Sequence, residues 1–351
     1  MALPRTAPQS DPASASAFAA RPEDQDRSPP REGRAVRDCA LRPGRNQAER
    51  EPIMMADQNA LILQQYDISP YSEKIRGALG LKGLTWWACN QPSIMPKPEL
   101  IALTGGYRRI PVLQIGSDVY CDSELILDEI ERRFPAPSIF ACGRATTETY
   151  RLWADEKLFP TVVGLLFSGD WDVSEAFIAD RSALRGRPFD PEAFRAAIPG
   201  LTEALHRHLR LLELQLENGN PFLAGEQPSA ADLQVFHNVA FIRWGKGRTT
   251  ALLDQHPGLR AWEARMRAIG HGIRHDIGRD EALRVAREAP VSAAVGGARV
   301  SYQINDANSP PIAGRLVAED PQRVSILLEN PLVGTVVVHL PTTGGRLHRL
   351  D

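Results

Sequence analysis

Between Asn59 and Pro135 the sequence switches its apolar period repeatedly within fewer than about a hundred residues, and the order of those switches restricts the fold more than any other feature. Ala60-Leu61-Ile62-Leu63 with Tyr66 reads as a buried strand ended by a turn at Asp67, and Ile75 and Leu79, with small residues between them, read as a helix face. Leu84-Thr85-Trp86-Trp87 is strand-like, and Pro98 to Leu103 suits a short helix. Two short strands follow, Pro111-Val112-Leu113 and Asp118-Val119-Tyr120, with a turn at Gly116 between them. Leu125, Ile126, Ile130 and Phe134 then mark a helix that Pro135 stops. The order βαβαββα predicts a mixed sheet flanked by helices.

After a linker over Pro135 to Gly143, helical signals take over. Leu205, Leu209, Leu212 and Leu216 recur at four, three and four residues, one stripe of a helix that Asn218-Gly219 ends. Ser229-Ala230-Ala231-Asp232 has the order of a capping box, with the Ser229 side chain expected to accept from the Asp232 N–H and Asp232 to reach back. Leu233 to Phe241 then reads as a buried helix, and Trp262, Met266 and Ile269 mark another. Near Ala289 the texture changes again. Arg299 to Tyr302, Gly314 to Val317, Val324 to Leu328 and Thr335 to Val338 are short strands between turn residues, a small all-β module expected to dock on the helical domain.

Ahead of all this, Met1 to about Pro52 is rich in Arg, Pro, Asp, Ser and Ala and lacks the periodicity of a core, so it is expected to be disordered, with Met54 or Met55 the expected natural start. The expected organisation is a disordered extension over 1–57, an α/β domain over 58–137, an all-α domain over 145–288 and a β-rich module over 295–351. Two or three domains suit a chain of 351 residues.

Charge narrows the function. Lys and Arg number 41 against 43 Asp and Glu, a balance that offers no basis for binding nucleic acid. Cys39, Cys89, Cys121 and Cys142 show no C-x-x-C spacing, which suits a reducing compartment and neither a zinc ribbon nor a dithiol. No apolar run reaches membrane-spanning length, and no secretory signal opens the chain, so a cytoplasmic protein without membrane partners is expected.

The chemistry-bearing residues fall in three places. Ser69 precedes Pro70, a favoured first helical residue, so its hydroxyl caps a helix at the positive end of the dipole. A thiol held there would have its pKa lowered. Pro111 opens a strand, where the absent N–H suits an edge or a ligand-facing turn. Asp122-Ser123-Glu124 stands before an apolar helix, whose free N–H groups suit an anion, although plain capping explains it too.

Tyr66-Asp67-Ile68-Ser69-Pro70-Tyr71-Ser72-Glu73-Lys74-Ile75-Arg76, Arg108-Arg109-Ile110-Pro111-Val112-Leu113 and Cys121-Asp122-Ser123-Glu124-Leu125-Ile126, in this order and at these separations, resemble the glutathione transferase family, in its serine- and cysteine-type classes. Phe222-Leu223-Ala224-Gly225 followed by Ser229 to Asp232 resembles the family's folding element in the second domain. The resemblance covers about Asn59 to Ile277. It implies a thioredoxin-like N-terminal domain, an all-α C-terminal domain, glutathione as co-substrate without a metal, and a homodimer. It implies that Ser69 contacts the glutathione sulfur, with Tyr66 as a second candidate, that Pro111 follows a cis bond, and that Ile110, Pro111 and Val112 pair with the peptide. Ser123 would hold the γ-glutamyl carboxylate, and Asp122, where relatives usually carry Glu, the amino group. The implied activity is attack of the glutathione thiolate on a small electrophile, by conjugation, isomerisation or peroxide reduction. The alternative is a binding or scaffold protein of the same fold acting through its β module.

Other residues read as structural. His206 and His208 face different sides of a helix, His271 and His275 lie one turn apart without a carboxylate cluster, and Gly105-Gly106 lacks the rest of a phosphate loop. Cys121 reads as a small buried hydrophobe, Arg108 and Arg109 as surface charge or an attraction for the anionic tripeptide, and Trp171, Tyr107 and Trp244 as aromatic core or acceptor-pocket lining.

Overall fold

The computed structural model describes residues 56–350 apart from positions 172, 246, 294, 295 and 307. The extension up to residue 55, with the expected start at Met54 or Met55, lies outside the described residues. Ala56, assigned above to that extension, is instead buried in a small core with Ala60, Ala282 and Val285.

The first part follows the expected order: β1 (Ile62–Gln65), α1 (Pro70–Leu81), β2 (Thr85–Asn90), α2 (Pro98–Thr104), β3 (Val112–Ile115), β4 (Asp118–Cys121) and α3 (Ser123–Arg133). β1 pairs in parallel with β2 and antiparallel with β3, and β3 pairs antiparallel with β4. This is the thioredoxin-like arrangement, and the helices bury the apolar stripe that the sequence shows: Ile75, Leu79, Ile126 and Ile130 are fully covered. β1 lies two residues later than the sequence suggests because Gln64 and Gln65 belong to it. Both are buried, and the Gln64 amide finds a partner in Gln114 at 2.9 Å.

The helical part runs through α4 (Arg144–Trp153), a π-helical turn Ala154–Leu158, α5 (Phe159–Leu165), a second π-helical turn Leu166–Asp170, α6 (Glu175–Arg185), α7 (Pro191–Ala196), α8 (Ile198–Leu216), α9 (Ala230–Gly245), α10 (Gly247–Leu253) and α11 (Pro257–Ile269). The Leu205, Leu209, Leu212, Leu216 stripe is buried on α8. α9 is covered all round and packs against α1 and α4, so it joins the two parts of the core.

In the box before α9 Asp232 reaches back as expected, but its N–H is bonded to the Ser229 carbonyl and not to the Ser229 side chain. The Asp232 N–H donates to the Ser229 carbonyl (3.0 Å), while the Asp232 carboxylate accepts from the Ser229 N–H (2.9 Å) and hydroxyl (3.1 Å). The same carboxylate also accepts from the Leu223 N–H and the Trp262 indole. The Ser229 hydroxyl is used here as a donor to that carboxylate.

Two boundaries differ. The helical stretch ends at α11, not at 288: β5 (Ile273–Asp276) pairs in parallel with β2, and α12 (Arg279–Glu288) returns to the sheet against α2 and β2. The apolar run that would mark a strand is missing here, since β5 is an exposed edge. The tail β6 (Arg299–Ile304), β7 (Ile312–Glu319), β8 (Arg323–Asn330), β9 (Gly334–Pro341) and β10 (Gly345–Arg349) is the expected extra β-rich region, with one more strand than expected. It docks chiefly on the sheet, while β9 also packs against α12 and Asn308 donates to the Ala183 carbonyl on α6. β9 pairs in parallel with β4, giving one ten-stranded sheet ordered β10-β6-β7-β8-β9-β4-β3-β1-β2-β5. The physical reason is that β4 otherwise presents an unpaired edge, while Val300, Ile312, Val324, Ile326, Val336 and Val338 need cover and share a core with Leu100, Leu103 and Val119. Gly105 closes α2 at φ 70°, where an added Cβ would lie 2.5 Å from Leu328. It is thus a helix end fitted against the tail.

Candidate functional site

Ser69 caps α1: its Oγ accepts from the Ser72 N–H at 3.2 Å, at φ −83° and ψ 116°, with Pro70 in the first helical turn. Accepting there uses a lone pair and leaves the O–H proton available to donate. The residue is only 2% exposed, so capping is the contact it makes in this conformation. Tyr66 is half-buried, and its carbonyl accepts from the Ser69 N–H at 3.0 Å.

Sheet register brings the second and third pieces beside the first. Val112 lies opposite Gln64 on one side and Cys121 on the other. The end of β1 that leads to Ser69, the start of β3 and the end of β4 that leads to Ser123 therefore share one end of the sheet. The Ile110–Pro111 bond is cis. The ladder of β3 begins at Val112, flanked on both sides, so Ile110 lies just beyond the pairing.

Asp122 holds an uncommon backbone conformation, φ 86° and ψ 137°, the one positive φ outside glycine among the described residues. Its carboxylate caps α3 by accepting from the Glu124 N–H at 2.9 Å. Burial, aided by the neighbouring Glu124 charge, pushes the Asp122 carboxyl above its usual range. Such a conformation costs on the order of 1–3 kcal/mol and tends to mark sites where geometry matters. Ser123 is 8% exposed, with its Oγ 3.4 Å from the Lys74 ammonium.

Lys74 is what sequence reasoning missed. Its side chain is fully buried, 3.0 Å from the Glu124 carboxylate and 5.1 Å from the centre of the Tyr71 ring. Burial alone would favour the neutral amine, but Glu124, with Asp155 and Asp122 behind it, holds the ammonium above its ordinary range. Gln234 on α9 donates to both Glu124 oxygens, at 3.0 and 2.8 Å, so the start of α3 is fastened to the helical part. Beyond Lys74, Asp155 in the first π-helical turn and Gln234, His237 and Asn238 on α9 each carry a buried polar atom without a hydrogen-bond partner. Burial, with Lys74 nearby, keeps His237 neutral by pushing its pKa well down. A lysine inside a helical run looks like a surface residue, and only its spacing from the acidic pair on α3, which sequence cannot supply, reveals the cluster.

Lys97 was also missed. It is 4% exposed, donates to the Arg108 carbonyl at 3.2 Å, and burial, assisted by Arg181, lowers its pKa to about 8. Arg108 pairs with Asp180, and Arg109 reaches Asp306 of the tail at 3.7 Å. The two arginines therefore do not stand as free surface charge.

The remaining candidates are structural. Burial pushes the Cys121 thiol well above its usual range, which suits the small hydrophobe expected. Tyr107 belongs to the core under the tail, and Trp171 packs edge-on against Phe241 at 5.1 Å. His271 pairs with Glu73 at 3.0 Å. Among the described residues no group of three or more His, Cys, Asp or Glu is placed to hold a metal ion, and no helix is long and apolar enough to cross a membrane.

The fold recurs elsewhere. A solved GST-like protein from Pseudomonas syringae is 30% identical with a TM-score of 0.68, over 83% of this chain and 99% of that one. The chain belongs to the glutathione S-transferase family. The family's N-terminal domain matches residues 63–138 and its C-terminal domain residues 190–271. A protein of Oryza sativa subsp. japonica named probable glutathione S-transferase DHAR2, chloroplastic, is 24% identical over 208 residues, 59% of this chain. The chain spans 64% of that relative's length. The ten-stranded sheet lies outside the matched domains from Gly272 onward.

Proposed function

We propose that the protein binds glutathione at this end of the sheet and directs its thiolate at a small electrophile. The observation that carries the reading is the register that sets Gln64, Val112 and Cys121 side by side, because it gathers three separate sequence segments into one peptide-sized row. In this reading Ser123 and the first N–H groups of α3 hold the γ-glutamyl carboxylate, where the helix dipole favours an anion. The cysteinyl main chain pairs at Ile110 and Val112 beside Pro111, in the manner of strand addition. Since Val112 already has neighbours on both sides, Ile110 carries most of that pairing. Ser69 donates its O–H to sulfur, and the positive end of α1 lowers the thiol pKa. Asp122, busy capping α3, takes the amino group less directly than a longer acid would.

Attack by the thiolate on carbon forms a carbon–sulfur bond as a leaving group departs, or adds to an activated double bond that then takes a proton, and later expulsion of the thiolate leaves an isomer. Attack on a peroxide breaks the O–O bond, releasing an alcohol or water and a glutathione sulfenate that a second glutathione converts to disulfide and water. We propose a homodimer as the working unit, which size measurement in solution tests. The experiment for the function compares Ser69→Ala with the wild-type chain on immobilised glutathione and on a generic aromatic electrophile. Retention that persists while turnover falls supports the reading. Turnover unchanged in the variant removes Ser69 from the chemistry, and a wild-type chain that neither binds glutathione nor turns over leaves the scaffold alternative.

A further inference from the structure

Lys74 is buried as an ammonium that Glu124, Asp155 and Asp122 stabilise, yet neither the capping of α3 nor the packing of α1 needs a charge there. Removing an ammonium from water costs several kcal/mol, and replacing a buried ion pair as a whole by hydrophobic side chains is often neutral or stabilising, so packing alone does not call for one. What the charge touches suggests a use. Its Nζ lies 3.4 Å from Ser123 Oγ and 3.0 Å from Glu124 Oε1. A hydroxyl that accepts from an ammonium keeps its own proton, which must point at some other acceptor. The only acceptor near Ser123 Oγ among the described residues is Glu124 Oε1 at 3.5 Å, an oxygen already receiving Lys74 and Gln234. That hydroxyl proton is therefore poorly placed where it is, and an entering anion offers it a better partner.

We propose that Lys74 is a positioning residue for the ligand's carboxylate: by donating to Ser123 Oγ, it makes Ser123 an outward donor at the start of α3. The proposal rests on glutathione being the ligand. Glu124, held by Lys74 and by Gln234 from α9, keeps the ammonium from pairing directly with the ligand, so the contact runs through the hydroxyl. Asp122 and Asp155 are the other acids around the ammonium, and the Tyr71 ring closes its remaining side.

The test measures binding of glutathione, and of the tripeptide in which γ-aminobutyrate replaces the γ-glutamyl residue and so lacks the α-carboxylate, to the full-length chain and to Lys74→Met. Steady-state turnover is recorded alongside. A hydrogen bond to a charged group lost at the site predicts glutathione Kd and KM weaker by about tenfold to a hundredfold, with kcat within about twofold. The analogue without the carboxylate should bind both proteins equally, and Lys74→Arg should restore most of the glutathione affinity. A merely structural lysine would weaken both peptides alike, and that outcome overturns the proposal. So does a Lys74→Met chain that binds glutathione as the wild type does. If Lys74→Met does not fold, Lys74→Gln, which keeps a donor and nearly the length, is read by the same two peptides. A wild-type chain that discriminates between the peptides while the variants do too leaves glutathione binding intact and sinks only Lys74, whereas a wild-type chain that binds neither peptide sinks both.

Discussion

His339 on β9 sets its Nε2 2.8 Å from the carboxylate of Asp118 on β4, across the seam where the C-terminal strands join the thioredoxin-like sheet. The other ring nitrogen meets Ser325 Oγ at 2.9 Å, and the ring stacks on Tyr120 at 4.3 Å. One imidazole thus links β4, β8 and β9. His339→Ala should destabilise the chain by about 1–3 kcal/mol, since it leaves a buried hydroxyl and a half-buried carboxylate short of a partner. Hydrogen exchange locates the loss: amides of β8 and β9 should exchange faster while those of α9 stay protected. Uniform acceleration would mean that the seam is not a separable unit.

Glu73 predicts an acid limb. Burial alone would raise its pKa, but the His271 and Arg76 partners outweigh it and hold the carboxyl below its ordinary 4.5. A folded pKa below the unfolded one gives stability that is present above 4.5 and disappears as pH falls through the folded value. Glu73→Gln should therefore cost about 3 kcal/mol at neutral pH, with the gap to wild type closing in acid, as urea melts at several pH values will show. A gap independent of pH would assign the loss to packing instead.

Lys97 runs the opposite way. Its folded pKa of about 8 lies below the ordinary 10.5, so between these values the unfolded chain binds the extra proton. Stability contributed by this residue should rise with pH across that window, and Lys97→Met should flatten the rise. Equal slopes in the two proteins would show that the ammonium is not buried in solution.

Much of this was legible beforehand because it depends on short-range pattern. The βαβαββα order, the α8 stripe and the cap at Ser69 follow from period, helix propensity and the Ser-Pro pair, all local. The cis bond before Pro111 came through the family resemblance. What sequence did not disclose is long-range. β5 has no buried face to write an alternating pattern, as Ile273 is 58% exposed, and nothing local says that β9 will choose β4 over the helices. Lys74 and Ser123 stand 49 positions apart, and a lysine between Glu73 and Ile75 carries no sign that α3 will close over it.

Asp232 tests the folding role assigned to the box before α9. Its carboxylate accepts from four donors, two of them backbone N–H groups. Asp232→Ala should cost about 3 kcal/mol or more, because several buried donors lose their acceptor together. Asp232→Asn should fall between the two, since its amide can accept with only one oxygen. Near-wild-type melting of the alanine variant would remove this box from the list of stabilising elements.

The central claim is that one end of the sheet grips a peptide thiol, and a crystal structure of the full-length chain grown with glutathione tests it most directly. The account predicts the sulfur within hydrogen-bond distance of Ser69 Oγ, the cysteinyl main chain paired at Ile110, and the γ-glutamyl carboxylate on Ser123. A tripeptide lying elsewhere, or a sulfur facing Tyr66 or another side chain with Ser69 still turned only to the Ser72 N–H, would contradict it.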